Sequence, residues 1–275
     1  MSKAEELKQK KIEELASALA ESLGPAEGSA AAEFLRRYYA SVAADDVLRP
    51  TRRHLIGAAL SLWKLGERRQ PGEVALRVVN PSPESEGWQS PHTVVEIVND
   101  DMPFLVSSVT GALNRKNLTL HLVAHPVIPV VRDRDGRRTG IVSGDSAGAG
   151  AIAESYMHLE LDQLTGEGEI EELRGRLLEV LADVRRAVAD WQPMTERLRE
   201  AIAELETHPP DLPEDRRREG LEFLRWLEGR FTFLGYREYA LVEERGESFL
   251  PSTRRAAWAC SPRSGRRRSS AAARR

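Results

Sequence analysis

The polar cluster best suited to binding a ligand is the acidic turn Asn99-Asp100-Asp101, which is followed two residues later by Pro103. Adjacent carboxylates could bind the ammonium group of a small effector, or could face a partner at a module interface. Asp also caps helices by accepting backbone N–H bonds, and Pro suits a first helical turn because it lacks an N–H. The sequence therefore allows an effector or interface turn at these four positions, but it favours a turn in which Asp101 caps a helix.

Histidines offer a second chemistry, metal ligation. His121 and His125 lie four residues apart on a predicted strand, so they share a face but stand about 13 Å apart at ~3.3 Å per residue. They cannot bind one zinc ion together, because Zn–N bonds are about 2 Å long. A site that adds His158 from a neighbouring strand stays open beside histidines that only bond within the sheet. We predict no metal site.

Nucleotide and nucleophile chemistry has little support in the sequence. Residues 148–153 fit G-x-G-x-x-A, but a dinucleotide loop needs a strand before the glycines and a helix after them. Asp145 and Ser146 precede this segment and an alternating strand follows it, so the small and Gly-rich residues 140–151 are predicted to be a flexible linker. The sequence contains no P-loop, and Cys260 lies in an arginine-rich tail. We therefore predict no catalytic residues and no cofactor bound by this chain.

Hydrophobic periodicity predicts helices at the amino-terminal end of the chain. Gly24-Pro25 is expected to end the first helix. The predicted helices are 3–23, about 29–43 and 51–65.

From residue 73 the period changes from 3.6 to 2, which is typical of strands. A helix is expected at 103–116, and the third strand is expected to bend at Pro126 or Pro129. The residues of the last strand alternate, with Tyr156, His158 and Glu160 on one face. The predicted strands are 74–79, 92–98, 118–132 and 154–162. This order predicts an α+β fold, a mainly antiparallel sheet with helices on one face and further helices before and after it.

The last third of the chain returns to helical spacing. The predicted elements are helices at 170–191, 193–205 and 221–227 and a strand-like segment at 231–239. We divide the chain into a helical segment (1–70), the α+β domain (71–191), helices with the start of a following module (192–250) and a disordered basic tail (251–275).

Composition favours a soluble globular protein, because 41% of the residues are hydrophobic and 30% are charged. A single cysteine excludes a disulfide framework and favours the reducing cytoplasm, and no window has the roughly 18–20 apolar residues of a membrane helix. Residues 251–275 carry eight arginines and no acid, so the first 250 residues sum to about -11. An acidic body makes nucleic-acid binding unlikely, although an RNA-associated role for the tail stays open.

Several long blocks resemble the N-terminal region of the large bacterial NAD-dependent glutamate dehydrogenases. The longest is VVEIVNDDMPFLVSSVTGALNRKNLTLHLVAHPVIPVVRDRDG at 94–136. The others are LWKLGERRQPGEVALRVVNP (62–81), GWQSPHTVVEIVNDDMPF (87–104), ESYMHLELD (154–162) and FLRWLEGRFTFLGYREYAL (223–241). They follow one another in the family's order and cover most of residues 30–241, and the resemblance stops near residue 250.

The resemblance implies an ACT-like, ferredoxin-like domain with a regulatory or assembly role. The parent reaction is the oxidative deamination of L-glutamate to 2-oxoglutarate with NAD, and its catalytic domain would lie downstream, beyond the end of a truncated chain. Expected partners are that catalytic region, other ACT-like modules or a second copy of the chain, with an amino acid as effector. The alternative is a free-standing ACT-like module that binds amino acids.

One position departs from the ACT pattern. ACT turns usually place Gly after the Pro, where bare backbone lets a ligand approach closely. Phe104 occupies that position here, and its ring is expected to fill the space of a ligand.

Overall fold

The computed structural model describes residues 2–142, 150–239, 242–244, 247–249 and 252–259. The chain divides into two compact units, Met1–Leu181 and Ala182–Arg275. The helices at the amino-terminal end therefore belong to the same unit as the sheet that follows them. No helix among the described residues combines the length and the apolar character needed to cross a membrane.

Three helices open the first unit: α1 (Lys3–Ala40), α2 (Ala44–Leu48) and α3 (Arg52–Leu65). The predicted break in α1 is confirmed, because Gly24 leaves the helical region with φ 73° immediately before Pro25. Such a positive φ is accessible to glycine without the clash that a Cβ would cause. Thr51 caps α3 by accepting a bond from the backbone N–H of His54 at 3.3 Å. The short helix α2 has too few residues for a periodic signal and was not predicted.

The sheet of the first unit has six strands, and all of its pairs are antiparallel. The strands run in the order β1-β2-β6-β4-β5, and β3 also pairs with β6. Their bounds are β1 (Ala75–Val79), β2 (Thr93–Asp100), β3 (Leu120–Ala124), β4 (Val127–Arg132), β5 (Arg138–Ile141) and β6 (Ile152–Leu161). Helix α4 (Leu105–Asn114) connects β2 to β3. The predicted α+β class, an antiparallel sheet with helices before and after it, is confirmed.

The predicted long strand at 118–132 is present as two pieces that share one neighbour. β3 and β4 both pair with β6 and are separated at His125-Pro126. Pro126 has no N–H to donate to a ladder, but its carbonyl accepts from the backbone N–H of Tyr156 at 3.0 Å. The expected bend at Pro126 is therefore confirmed.

One predicted linker is partly a strand. Residues 138–141 form β5, a hairpin partner of β4 across the turn at Asp133–Gly136. The weak periodicity of this segment gave no strand signal, because an edge strand needs only backbone partners on one side. Residues 143–149, which include most of the rest of the predicted linker, lie outside the described residues.

Helices α1 and α3 pack on one face of the central strands, in a core that contains Val98, Tyr156 and Ile128 of the sheet. The opposite face of β2 and β6 is also buried. It presents Val95, Ile97, Met157 and Leu159. After β6 the backbone N–H of Leu164 donates to Thr93 Oγ1 at 2.8 Å, which ties the chain to this face. Helix α4 and the next helix, α5 (Glu167–Thr207), also carry buried apolar residues, among them Val109 and Leu113 of α4 and Leu173 and Leu177 of α5.

The second unit begins within α5 and continues with α6 (Glu214–Arg230) and two small strand pairs. The strands are β7 (Gly235–Tyr239), β8 (Val242–Glu244), β9 (Glu247–Phe249) and β10 (Ser252–Ala259). Two expectations were wrong here. α5 continues through Pro193 instead of restarting there, since one missing N–H does not outweigh the helix formers on both sides. Residues 252–259 pair with β7 instead of beginning a disordered tail, and residues 260–275 lie outside the described part of the chain.

Candidate functional site

The predicted acidic turn lies at the end of β2, where Asp100 holds the chain together. Its Oδ1 accepts from Arg69 Nη2 and its Oδ2 accepts from the backbone N–H of Gly72, both at 2.8 Å. Asn99 is fully buried in β2, opposite Ser155. Asp101 and Pro103 are exposed. Of the four predicted site residues, therefore, two belong to the sheet and two remain at the surface.

Asp101 does not cap α4, contrary to one reading of the sequence. The strand extends to Asp100, and the backbone N–H of Asp101 donates to the carbonyl of Ala153 at 3.0 Å. The helix starts later, with Phe104 as its N-cap residue and no capping side chain. Because β2 stays paired with β6 as far as Asp100, the helix begins two residues later in the chain than predicted.

Phe104 stands where the resemblance expects glycine, and it adopts the glycine conformation. Its φ is 71°, in the left-handed region that non-glycine residues rarely enter. The side chain is 45% exposed, so the ring lies at the surface of the turn. Whether it excludes a ligand there stays a prediction.

A buried ion network that the sequence did not reveal lies beside this turn. Glu154 is fully buried and accepts bonds from Arg132 through both oxygens at 2.7 Å, and also from Arg69. Tyr156 donates its hydroxyl to Glu154 at 3.1 Å. We call Arg69, Arg132, Glu154 and Asp100 the arginine–glutamate network. Burial acts to raise the pKa of Glu154, but the two guanidinium groups outweigh burial and hold that pKa below its ordinary value.

The network also ties loops to the sheet through backbone carbonyls. Arg132 donates to the carbonyls of Gly136 and Gly66 at 2.6 and 2.8 Å. The side chain of Arg69 donates to the carbonyl of Glu73 at 2.8 Å, and its backbone N–H donates to Gly136 at 2.9 Å. Each of these bonds fixes a loop position, which indicates a structural clamp.

A second polar group lies on the same face of β6. His158 is fully buried, with Glu96 Oε1 at 3.8 Å from its Nδ1 and Glu160 Oε1 at 3.5 Å from its Nε2. His54 Nε2 approaches Glu160 Oε1 to 3.6 Å. We call His158, Glu96, Glu160 and His54 the histidine–glutamate cluster.

Electrostatics in this cluster favour the charged forms. Burial acts to lower the pKa of His158, but Glu160 and Glu96 outweigh it and raise that pKa above 6.5. Burial acts to raise the pKa values of Glu96 and Glu160, and the neighbouring histidines lower them instead. The two carboxylates therefore favour the protonated form of His158. A charged residue within an apolar run, as in Val94-Val95-Glu96-Ile97-Val98, was the sequence signal for this cluster.

The histidines considered as metal ligands are not brought together. His121 is bonded to Asp162 at 2.8 Å and stacks on His92 at 4.1 Å between ring centroids. His125 is bonded to Ser155 Oγ at 2.7 Å. Among the described residues, no three His, Cys, Asp or Glu side chains are grouped so that they could hold a metal ion.

The segment 148–153 leads directly into strand β6, which begins at Ile152, as its sequence indicated. Ile152 and Ala153 already pair with β4, so no helix starts there to meet a phosphate. Gly148 and Ala149 lie outside the described residues.

Comparison with known proteins gives consistent matches. A family model described as "Glutamate dehydrogenase, ACT1 domain" matches residues 34–177. An NAD-specific glutamate dehydrogenase of Halomonas elongata is 40% identical over 219 residues, which is 79% of this chain and 14% of the relative. An enzyme with the same name from Pseudomonas aeruginosa is 36% identical over 232 residues, covering 84% of this chain and 14% of the relative. The chain thus spans about a seventh of the length of these relatives.

Proposed function

The chain belongs to the glutamate dehydrogenase ACT1 domain family, and from that membership we propose that it is the N-terminal regulatory and assembly region of an NAD-specific glutamate dehydrogenase. The observation that carries the proposal is the ACT1 match within a chain that covers only 14% of each relative. On this proposal, NAD binding and glutamate deamination belong to the remaining polypeptide. The region works in the cytoplasm, which suits a chain with one cysteine.

An exposed apolar row on the sheet supports the assembly role. Val123, Val127 and Val131 are 39%, 42% and 36% exposed. Register places Val123 opposite Leu159 and Val127 opposite Ser155, so both point to the same face of the sheet. Single exposed apolar residues are ordinary, but three of them at every fourth position along β3 and β4 favour a contact surface. We call these three residues the valine row, and its partner on this proposal is the catalytic region, an ACT-like module or a second copy of the chain.

The predicted turn lies next to the valine row. Asp101 bonds to Ala153, and Ala153 lies opposite Pro129 of β4, between the second and third valines. Phe104 adds a ring that is 45% exposed. An interface role for the turn is therefore better supported than effector binding through Asp100, because both carboxylate oxygens of Asp100 already accept bonds.

A chimeric enzyme tests the proposal. In the Halomonas elongata relative, the segment that matches this chain is either deleted or replaced by this chain. Solution mass and the kcat and KM for glutamate-dependent NAD reduction are measured. We expect the replacement to keep the parent's number of subunits and its activity, and the deletion to change the number of subunits, calculated from the solution mass and the shortened chain, or the kinetic constants.

Substitutions in the chimera locate the contact. Val123→Glu with Val127→Glu should reproduce the deletion, because two carboxylates cannot be buried in an apolar interface without a large cost. Leu7→Glu is the matched control, since Leu7 is an equally exposed apolar residue, at 49%, on α1. A deletion enzyme with an unchanged number of subunits and unchanged kinetic constants would contradict the proposal. So would NAD reduction by the isolated chain.

A further inference from the structure

A cleft of about 850 Å³ opens along α3, beside the strand and loop residues 77–88. Its volume lies in the range of small-molecule sites. The floor is apolar and consists of Ile56, Leu60, Leu65 and Trp88. Trp88 packs directly on Gly57, where a Cβ would collide with the indole side chain. The floor is thus formed by tight packing against the helix and does not depend on a bound molecule.

The rim of this cleft is cationic. Arg52, Arg53, Lys64 and Arg77 line it, with Glu86 as the acid of the lining. Arg77 is already neutralised, since it bonds to Glu86 at 2.9 Å and to the buried Glu96 at 2.7 Å. The other three cations are exposed.

None of those three cations forms a salt bridge within the part of the chain that the structure describes, although Arg53 lies close enough to the exposed Glu84 to help lower the pKa of that carboxyl. Arg53 donates only to the carbonyl of Gly87, at 2.9 Å. The body of the chain is acidic overall, so a group of unpaired cations around an apolar floor runs against the general charge. Like charges gathered at a concave surface raise the local concentration of anions.

Trp88, which lines the cleft, also carries a buried donor. The indole Nε1–H of Trp88 has no acceptor among the described residues, although the side chain is only 2% exposed. Buried polar groups are nearly always hydrogen-bonded. This donor is enclosed by the protein, so it is not part of the surface that a ligand in the cleft would contact, and the cleft is judged on its cations and its apolar floor.

We propose that the α3 cleft binds an organic anion that carries a phosphate or carboxylate group on an apolar ring system. The anionic group lies at the Arg52–Arg53 end, where two arginines line the cleft. Lys64 lies twelve residues further along α3, about 18 Å away at 1.5 Å per residue, so it contributes mainly through its long-range field. The ring system covers Ile56 and Leu60. This site is separate from the valine row and does not depend on the proposed function.

Calorimetry on the full chain at low ionic strength tests the proposal with four probes: 1-naphthyl phosphate, AMP, inorganic phosphate and 1-naphthol. We expect one equivalent of an aromatic phosphate to bind at least about tenfold more tightly than phosphate or naphthol alone, because only the ester uses both rim and floor. Physiological salt should weaken the binding. Tighter binding of AMP than of naphthyl phosphate identifies a nucleotide as the ligand type, and the reverse order identifies another aromatic anion.

Variants decide whether the binding occurs in this cleft. Arg52→Gln with Arg53→Gln should weaken binding of the aromatic phosphate at least about tenfold, and Lys64→Gln should weaken it less. Arg49→Gln is the matched control, since Arg49 precedes the same helix, is 80% exposed and is paired with Asp45. Absence of binding by both aromatic phosphates at millimolar concentration would overturn the proposal. Equal binding of inorganic phosphate, or binding that survives the double substitution, would do the same.

Discussion

The arginine–glutamate network and the histidine–glutamate cluster lie on the same face of the same strand, yet they differ in how well their buried groups are bonded. Both oxygens of Glu154 accept short bonds from Arg132. Four residues along β6, His158 has its nearest carboxylate oxygens at 3.5 and 3.8 Å. Both nitrogens of His158 lack a hydrogen-bond partner among the described residues.

This difference separates a fixed junction from an adjustable one. A buried group that lacks a partner costs about 1–3 kcal/mol, whereas a satisfied one contributes. The arginine–glutamate network binds loop carbonyls as well as carboxylates, so its geometry is determined from several directions. The histidine–glutamate cluster is held by charge attraction across longer separations, and its strength depends on a proton.

The largest expected effect comes from breaking the arginine–glutamate network, in which both oxygens of Glu154 are bonded although Arg69 Nε lacks a partner among the described residues. Glu154→Gln leaves Arg69 and Arg132 buried, with side chains only 1% and 2% exposed, and removes the carboxylate that they share. Loss of one partner from a buried ion pair typically costs about 3–5 kcal/mol. We expect that loss in the free energy of unfolding from urea denaturation, with hydrogen exchange of β6 amides to assign it to the first unit.

A surface pair provides the control for this substitution. Glu171→Gln removes a carboxylate that is 72% exposed and paired with Arg174, and such pairs contribute about 0–1 kcal/mol. If Glu154→Gln were as mild as Glu171→Gln, the network would not be the clamp that its geometry indicates.

How far these regions could be predicted from sequence depends on the range of the contacts. Alternation within 154–162 placed Tyr156, His158 and Glu160 on one face, and the break at Pro126 followed from its missing N–H. Both are local properties of the chain. The strand at 138–141 was missed because an edge strand carries little side-chain pattern.

The arginine–glutamate network could not be predicted because its members are distant in sequence. Arg69 and Glu154 are 85 residues apart, and only the register of six strands brings them together. Arg69 lies in a loop after α3, where arginine is usually solvated. A buried Glu in a strand signals that some cation must pair with it, but the pattern does not say which of the chain's many arginines does so.

A pH series should separate the two regions through the sign of the effect. The pKa of His158 is raised in the fold above 6.5, so its contribution to stability is fully present below pH 6.5 and is lost as the pH rises through the raised value. The slope is at most about 1.4 kcal/mol per pH unit for one proton. The groups that face His158 are Glu96, Glu160, His54 and Tyr38.

The carboxylates give the opposite dependence. Lowered pKa values of Glu154, Glu96 and Glu160 mean that their contributions are present above pH 4.5 and are lost as the pH falls through the lowered values. Above pH 6.5, therefore, these three carboxylates should no longer contribute to the pH dependence, whereas His158 and His54 should.

Urea denaturation at a series of pH values tests this separation. We expect His158→Gln to flatten the dependence above pH 6.5, and His54→Gln to reduce it, because the pKa of His54 is also raised by its contact with Glu160. His208→Gln, at an exposed position in the second unit, is the control. Glu154→Gln should keep the wild-type slope in this window. An unchanged slope in His158→Gln would show that the cluster holds no proton.

The smallest expected effect comes from two neighbouring tyrosines, one with a bonded buried hydroxyl and one whose buried hydroxyl has no partner. Tyr39 donates its buried hydroxyl to the carbonyl of Leu55 at 2.8 Å, whereas the buried hydroxyl of Tyr38 has no partner among the described residues. Tyr39→Phe should therefore cost about 1 kcal/mol of unfolding free energy. Tyr38→Phe should be neutral or stabilising by up to about 1 kcal/mol, since it removes a polar group from beside His158 without breaking a bond.

The two rings are both fully enclosed and in edge contact at 4.6 Å, so differences in burial cancel in the comparison. If Tyr38→Phe were the more damaging change, a bound water or a rearranged carboxylate would have to satisfy that hydroxyl, and the histidine–glutamate cluster would then be as fully bonded as the network at the other end of β6.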